Sequence, residues 1–308
     1  MILGIPEQGL IYGILALGLL ITYRILDFPD LTVDSSFPLG AAVSAVLTVH
    51  GMHPVLTLFF GLLAGALAGL VTGLIHVKCH VRDLLSSIIT MTGLYSVNLY
   101  IAGLSGVTFT GLSSLAQVTG KASVPLFTYD TLFRNPLTKS APAAIAPYTT
   151  LIIVFLIALI AKLIMDWFLR TKAGYLLIAA GDNPAVVTTL AKDQGKVKIL
   201  GLVLANALVA LSGAVMCQSS RNFDISMGTG SMVIGLASVI IGTNLFRNVR
   251  FMKSTTMVII GSILYKACVS LAMKVGLDAF WMKFITAVLF LIILVASQMP
   301  RKKVHIRA

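Results

Sequence analysis

Apolar positions in this chain gather into long runs, broken by short clusters of glycine, proline and charge. A bilayer core of about 30 Å takes roughly 20 apolar residues per helix. Runs of this kind recur at Gly9–Tyr23, Phe37–Val49, Pro54–Ile75, Leu84–Gly103, Ala146–Leu169, Ile199–Cys217, Gly230–Leu245, Ser254–Met273 and Phe280–Met299. The pattern predicts an all-α integral membrane protein of about nine transmembrane helices. The first run has neither a basic n-region nor a small-residue cleavage site, so it reads as a retained span.

A polar, basic stretch from Arg170 to Lys198 separates two long apolar parts. Within it, Gly181-Asp182-Asn183-Pro184 reads as the end of one short helix and the start of another. Glycine closes the first, Asp182 or Asn183 caps the second, and Pro184 fits a first turn whose N–H needs no partner. A short helix is predicted over Pro184–Lys192.

Composition sharpens the class: of 308 residues, 57% are hydrophobic and 11% charged, with a mean hydropathy of +0.97. A net charge of +12 would suggest nucleic acid as partner in a soluble chain, but here its distribution decides. With the insert inside the cell, most basic residues fall on the cytoplasmic side, the side that retains Lys and Arg near membrane spans. Lys121, Arg134, Lys139, Arg221 and Lys274 fall outside, and Lys266 and Lys283 lie within spans. This places the N-terminus outside and the C-terminus in the cytoplasm.

The two apolar parts echo each other. Gly9–Val46 and Gly201–Ile240 each run from a glycine-bearing apolar helix into an interruption, Phe28-Pro29-Asp30-Leu31-Thr32 in one and Phe223-Asp224-Ile225-Ser226 in the other. Each then resumes as a small-residue helix followed by two more spans. One span and the insert separate the units, so the second faces the opposite way: an inverted-topology repeat with broken, re-entrant segments near the substrate path. The chain thus reads as one transmembrane domain, with repeat one about 9–104, a linking region about 105–198 and repeat two about 199–299.

The residues Arg170-Thr171, Gly174, Ala180-Gly181-Asp182-Asn183, Ala191 and Gly195, with Gly213-Ala214, Met227-Gly228-Thr229-Gly230 and Gly235 to Gly242, resemble the permease subunits of ABC importers in the branched-chain amino acid and ribose permease group. Tyr23 to Thr32 is similar to the tryptophan/tyrosine transport permease subgroup. The resemblance implies a second copy of the permease, two ABC ATPase subunits that bind ATP and magnesium, and an extracytoplasmic solute-binding protein. It makes the insert an ATPase-coupling element, carried by Gly181, Asp182, Asn183, Pro184, Ala185, Val186, Thr188 and Thr189. No cofactor, metal or nucleic acid is expected on this chain.

The chain has no G-x-x-x-x-G-K-[ST] phosphate loop, and Met227-Gly228-Thr229-Gly230 reads as a tight turn before a re-entrant helix. It is therefore not expected to be an enzyme. Gly61, Gly65, Gly69 and Gly73 form a small-residue ridge for close helix packing, within the protomer or between copies. His76, Cys79 and His80 share one turn with Lys78 but lack a fourth ligand, so the cytoplasmic rim explains them better than a metal does. Cys79, Cys217 and Cys268 give no disulfide framework. Lys266 lies deep in a span and is either functional or a snorkelling side chain. Asp30, Asp34 and Asp224 sit at the two breaks, where capping is read over solute contact. The segment from Ser105 to Tyr148 is too interrupted to span and is expected on the outer face as a gate or landing surface.

The translocation path is expected at Thr32, Ser35, Ser36, Leu39, Ser226, Met227, Thr229 and Met232, and docking of the binding protein at Arg134, Arg221 and Lys274. The resemblance through Tyr23–Thr32, and secondarily the small and apolar path residues, imply an aromatic or other hydrophobic amino acid moved by alternating access; a nucleoside or sugar, or an ion-coupled secondary transporter, are the alternatives. A multi-pass location in a prokaryotic cell membrane follows.

Overall fold

The computed structural model describes residues 3–106, 118–134, 148–182, 193–246, 252–274 and 282–298. Helix α1 (Gly4–Leu19) passes without a break into a π-helical segment, Leu20–Ile25. Helices α2 (Val33–Val49), α3 (Pro54–Lys78) and α4 (Asp83–Gly103) complete the first unit. Strand β1 (Ser123–Pro125), helix α5 (Thr149–Leu169) and helix α6 (Lys172–Asp182) follow. The second unit holds α7 (Gln194–Ser220), β2 (Asn222–Asp224), a 3₁₀ turn Ile225–Gly228, α8 (Ser231–Leu245), α9 (Ser254–Lys274) and α10 (Met282–Gln298).

Among the described residues, seven helices are long and apolar enough to cross a membrane. The other two expected spans fall on α2 and α10, whose apolar stretches are shorter. Helix α2 is short because it begins inside the protein: nearly every residue from Val33 to Val46 is buried among α3, α4 and α7. The chain is mostly helical, as expected; among the described residues the short strands β1 and β2 pair antiparallel, Val124 opposite Phe223.

The leading helices of the two units, α1 and α7, lie against each other and run antiparallel. Ser212 donates to the Ile11 carbonyl at 2.6 Å, while Gly18 meets Ala205. Contacts between the units are matched: α7 packs on α2 and α3, and α1 packs on α8 and α9. The glycine ridge of α3 explains one of these pairs. Gly61 faces Ala214, Gly65 faces Ala210 and Asn206, Gly69 faces Leu202, and Gly73 faces Ile199. A side chain at Gly65 or Gly69 would overlap the backbone of α7, so these positions let two helices touch. The choice left open by the sequence is settled: the ridge packs within the protomer.

Apolar rows on α3 (Leu56, Phe59, Phe60, Leu63, Leu67), α4 (Leu85, Ile89) and α5 (Ile152, Phe155, Leu159, Leu163) stay exposed. Such rows suit lipid as neighbour. Residues 118–134 clasp the ends of α4 and α7: the Leu126 N–H bonds to the Arg221 carbonyl at 2.9 Å, the Lys121 N–H to the Leu99 carbonyl at 3.1 Å, and the Leu132 N–H to Gln218 Oε1 at 3.1 Å.

Candidate translocation site

The first break follows from Asp27-Phe28-Pro29-Asp30. Pro29 has no N–H to donate and disfavours helix at the residue before it. The amides of Leu26 and Phe28 instead reach Ile21 and Thr22 at 2.9 and 2.8 Å, and Asp27 takes a left-handed φ of 51°. The freed segment is held by a buried polar network. Asp30 Oδ1 accepts from the Thr32 N–H at 2.9 Å; Asp30 Oδ2 accepts from Asn206 Nδ2 at 2.8 Å; Ser36 Oγ donates to Asn206 Oδ1 at 2.7 Å. Asn206 lies midway along α7, so the break sits at the depth of that helix's middle.

The second break begins at Arg221, left-handed at φ 56°, and is shaped by Asp224, whose side chain accepts from the Ser226 N–H at 2.8 Å. Gly230 at φ 84° then turns the chain into α8. This turn needs glycine, because a Cβ is disfavoured at such φ. The Asp224 cap agrees with the sequence reading.

Asp34 joins the two breaks. Its Oδ1 accepts from the Met232 N–H at 2.8 Å and from Ser231 Oγ at 3.1 Å, and its Oδ2 accepts from the Gly230 N–H at 3.2 Å. A carboxylate from α2 thus caps α8 of the other unit, against the positive end of that helix. Pro38 contributes from the same turn: it cannot donate to the Asp34 carbonyl, and Gly228 packs into the space where a Cβ would overlap that carbonyl and the Pro38 ring.

Beside this junction opens a cavity of about 510 Å³ between α2, α4 and the 225–229 turn, lined among others by Asp34, Ser35, Tyr95, Asn98, Ser226 and Thr229. Of the eight path residues expected from sequence, it gathers Ser35, Ser226 and Thr229. Thr32 and Ser36 are instead buried, Thr32 Oγ1 paired with Thr72 Oγ1 at 3.0 Å and Ser36 with Asn206. Met227 and Met232 pack against the apolar core beside Tyr12 and Phe37, and Leu39 lines a separate apolar groove with Leu67, Val71 and Val97. Missed were Met91, Thr92, Tyr95, Ser96 and Asn98 on α4. A signal existed in the polar spacing of Thr92, Ser96 and Asn98 inside an apolar span.

Of the docking residues, Arg134 is exposed. Arg221 is half-buried, donates to the Phe127 carbonyl and stacks on that ring with its guanidinium carbon 5.4 Å from the centroid. Lys274 ends α9; its side chain lies outside what the structure describes. Of the coupling residues, Gly181 and Asp182 form the last turn of α6, and Asn183, Pro184, Ala185, Val186, Thr188 and Thr189 lie outside the described residues. Gly181 is helical and lies one residue before the end of α6, where the described residues stop. It lets α6 touch the Ile25 carbonyl at the end of the π-helical segment, where a Cβ would overlap. Leu177 on the same helix is buried with Ile21, Leu26 and Phe28.

Lys266 places Nζ 4.0 Å from the centroid of the Tyr12 ring, which stacks on Phe37 at 6.0 Å. It therefore has a specific inward partner, a cation–π contact. At the opposite end, His76 Nδ1 lies 3.1 Å from Asp83 and its Nε2 lies 3.3 Å from Lys198 Nζ. Among the described residues no group of three or more His, Cys, Asp or Glu is placed to hold a metal ion. Asp166 on α5, unremarked in the sequence, bonds Lys162 Nζ at 3.1 Å, Lys253 Nζ at 2.8 Å and Thr255 Oγ1 at 2.6 Å, tying α5 to the start of α9.

Residues 1–295 match the family model described as branched-chain amino acid transport system, permease component. The chain belongs to this permease family. The permease is a multi-pass cell-membrane protein. It is 36% identical to the tyrosine transport system permease protein of Clostridioides difficile (strain R20291) over 298 residues, covering 97% of this chain and 92% of the relative. It is 29% identical to an uncharacterized protein of Rickettsia prowazekii (strain Madrid E), covering 93% and 94%. The ribose import permease protein of Bacillus subtilis (strain 168) is 26% identical, covering 78% of this chain and 67% of the relative. No solved structure matches the permease.

Proposed function

We propose that this permease is the membrane subunit of an ATP-driven importer for a small amino acid-like solute, an aromatic amino acid first, working by alternating access. Two copies surround one path, two ATPase subunits bind ATP and magnesium, and a solute-binding protein delivers from outside. The observation that carries this reading is the meeting of two broken helices, one per unit, at Asp34 and Gly230 beside a cavity with a polar wall. Breaks of this kind expose backbone only where they line a cavity or path. Thr92, Ser96, Ser226 and Thr229 are exposed at that wall, where water or solute suits them better than lipid. The antiparallel, matched packing of the two units supports an inverted-topology repeat, with the N-terminus outside and the C-terminus in the cytoplasm.

The solute class draws on the tyrosine permease relative; the ribose permease relative favours a sugar or nucleoside as the second reading. Calorimetric titration of the cognate binding protein with tyrosine, tryptophan, leucine, a nucleoside and ribose decides. Binding of an aromatic amino acid is expected; binding of ribose or the nucleoside alone overturns the choice. Co-purification of an ATPase subunit with the permease tests the importer class itself.

A further inference from the structure

The cavity between α2, α4 and the 225–229 turn carries chemistry that the path as a whole does not. Asp34 is a half-buried carboxylate at the start of an apolar helix, and its partners among the described residues are two amides and one hydroxyl, all from the start of α8. Among the described residues, no Lys, Arg or His lines this cavity. A carboxylate offers about four acceptor positions, and three are used, leaving one on Oδ2. An intramembrane ionisable group is costly and ordinarily has a partner.

A second acceptor stands beside it. Asn98 is wholly buried and lines the same cavity. Its Nδ2 donates to the Ser35 carbonyl at 3.0 Å, which fixes the orientation of the amide, and its Oδ1 has no partner. A buried acceptor left unpaired costs free energy and marks a place where a donor is missing. Two of the N–H groups that would welcome an anion at the start of α8, those of Gly230 and Met232, are already taken by Asp34. Among the described residues the cavity thus offers an anionic acceptor, an unpaired amide oxygen and neutral hydroxyls, and no cationic donor.

We infer that this cavity is a recognition station for a protonated amine or other N–H donor on the solute, seated against Asp34 Oδ2, with Asn98 Oδ1, closed off in this structure, as the second acceptor that the solute would uncover, and with Tyr95 and Met91 flanking its apolar part. A solute carrying only a carboxylate is disfavoured there. The inference rests on the reading of the chain as a solute path, and it names which end of an amino acid-like solute this wall engages.

The test is a protection assay on the full-length permease in nanodiscs, with Cys79 and Cys268 replaced by Ser, Cys217 by Ala, and Ser96→Cys placed on the cavity wall. The labelling rate by a small maleimide is measured against tyrosinamide, which has an amine and no carboxylate, and against 3-(4-hydroxyphenyl)propionate, which has the reverse. Tyrosinamide is expected to protect and the propionate not. Asp34→Asn keeps a capping side chain for α8 while removing the charge, and should raise the protective concentration of tyrosinamide roughly tenfold or more. Should that variant not fold, Thr92→Lys, on the exposed wall and outside the cap, sets a cation beside Asp34 and should raise that concentration by a similar factor. Equal protection by both compounds, protection by the propionate alone, no protection by tyrosinamide, or indifference to both variants would overturn the inference. The assay needs neither ATPase nor binding protein, so such a result leaves the importer reading to its own co-purification test.

Discussion

Asn206 holds Asp30 across the protein, its Nδ2 2.8 Å from Asp30 Oδ2. The contact ties the middle of α7 to the break after α1, while Asp34 ties the start of α2 to the start of α8. Each unit therefore stabilises the irregular backbone of the other. The Asp30 link lies in the buried interior, where an acceptor without its donor is expensive, and the Asp34 link is part-buried beside the cavity.

Asn206→Leu should be strongly destabilising. It removes the donor to Asp30 and the acceptor of Ser36, leaving a buried carboxylate with one partner fewer. The expected loss is about 3 kcal/mol or more, read as a lower thermal midpoint of the detergent-solubilised permease. Asp30→Asn in the same background should recover part of it, since the uncompensated charge is then gone. Equal midpoints for Asn206→Leu and the native chain would show that the network contributes nothing.

The glycine ridge makes a contrast within one chain. Gly69→Val must push α3 off α7, because a Cβ at 69 already overlaps the backbone at Leu202; a cost of about 1–3 kcal/mol is expected for such overpacking. Gly93→Ala on α4 meets nothing within 4 Å and should stay within about 1 kcal/mol of the native chain. The thermal midpoints of the two variants measure the difference, and similar losses would mean that α3 and α7 can separate without cost.

Gly181 makes the mechanical prediction. Helix α6 touches the Ile25 carbonyl at the end of the π-helical segment, and Leu177 is buried against Leu26 and Phe28. In the proposed importer a displacement of α6 would therefore be delivered to the backbone just before the Asp30 break. Gly181→Leu should leave the permease assembled with its ATPase subunits, yet let ATP hydrolysis proceed with little solute uptake in proteoliposomes. Normal uptake by this variant would remove α6 from the coupling route.

Much of this was legible in the sequence, and the remainder fails for identifiable reasons. Apolar run length located the helices because bilayer thickness fixes it. Proline and glycine located both breaks because they remove donors or need unusual φ. The glycine ridge was visible, but its partner α7 lies more than a hundred residues away, and spacing cannot name a partner. Thr32 and Ser36 look like Ser35 in sequence; only the helical turn decides that they face α3 and α7 while Ser35 meets the cavity. The α4 wall was missed because an apolar span that carries a few hydroxyls reads as an ordinary span, and Asn98 gains its meaning only from the Ser35 carbonyl that consumes its amide.

Topology gives the last prediction. Arg134 is exposed beside the clasp over the ends of α4 and α7, whereas Lys196 lies in the first turn of α7, near the His76–Asp83 pair. These positions are near opposite ends of α7, and the proposed orientation, drawn from the excess of Lys and Arg at the Lys196 end, puts that end in the cytoplasm. In a chain lacking its native cysteines, Arg134→Cys should react in intact cells with a membrane-impermeant maleimide. Lys196→Cys should react only after the membrane is made permeable. Labelling of position 196 in intact cells with position 134 protected would invert the orientation, placing the insert outside, out of reach of any ATPase that uses cytoplasmic ATP.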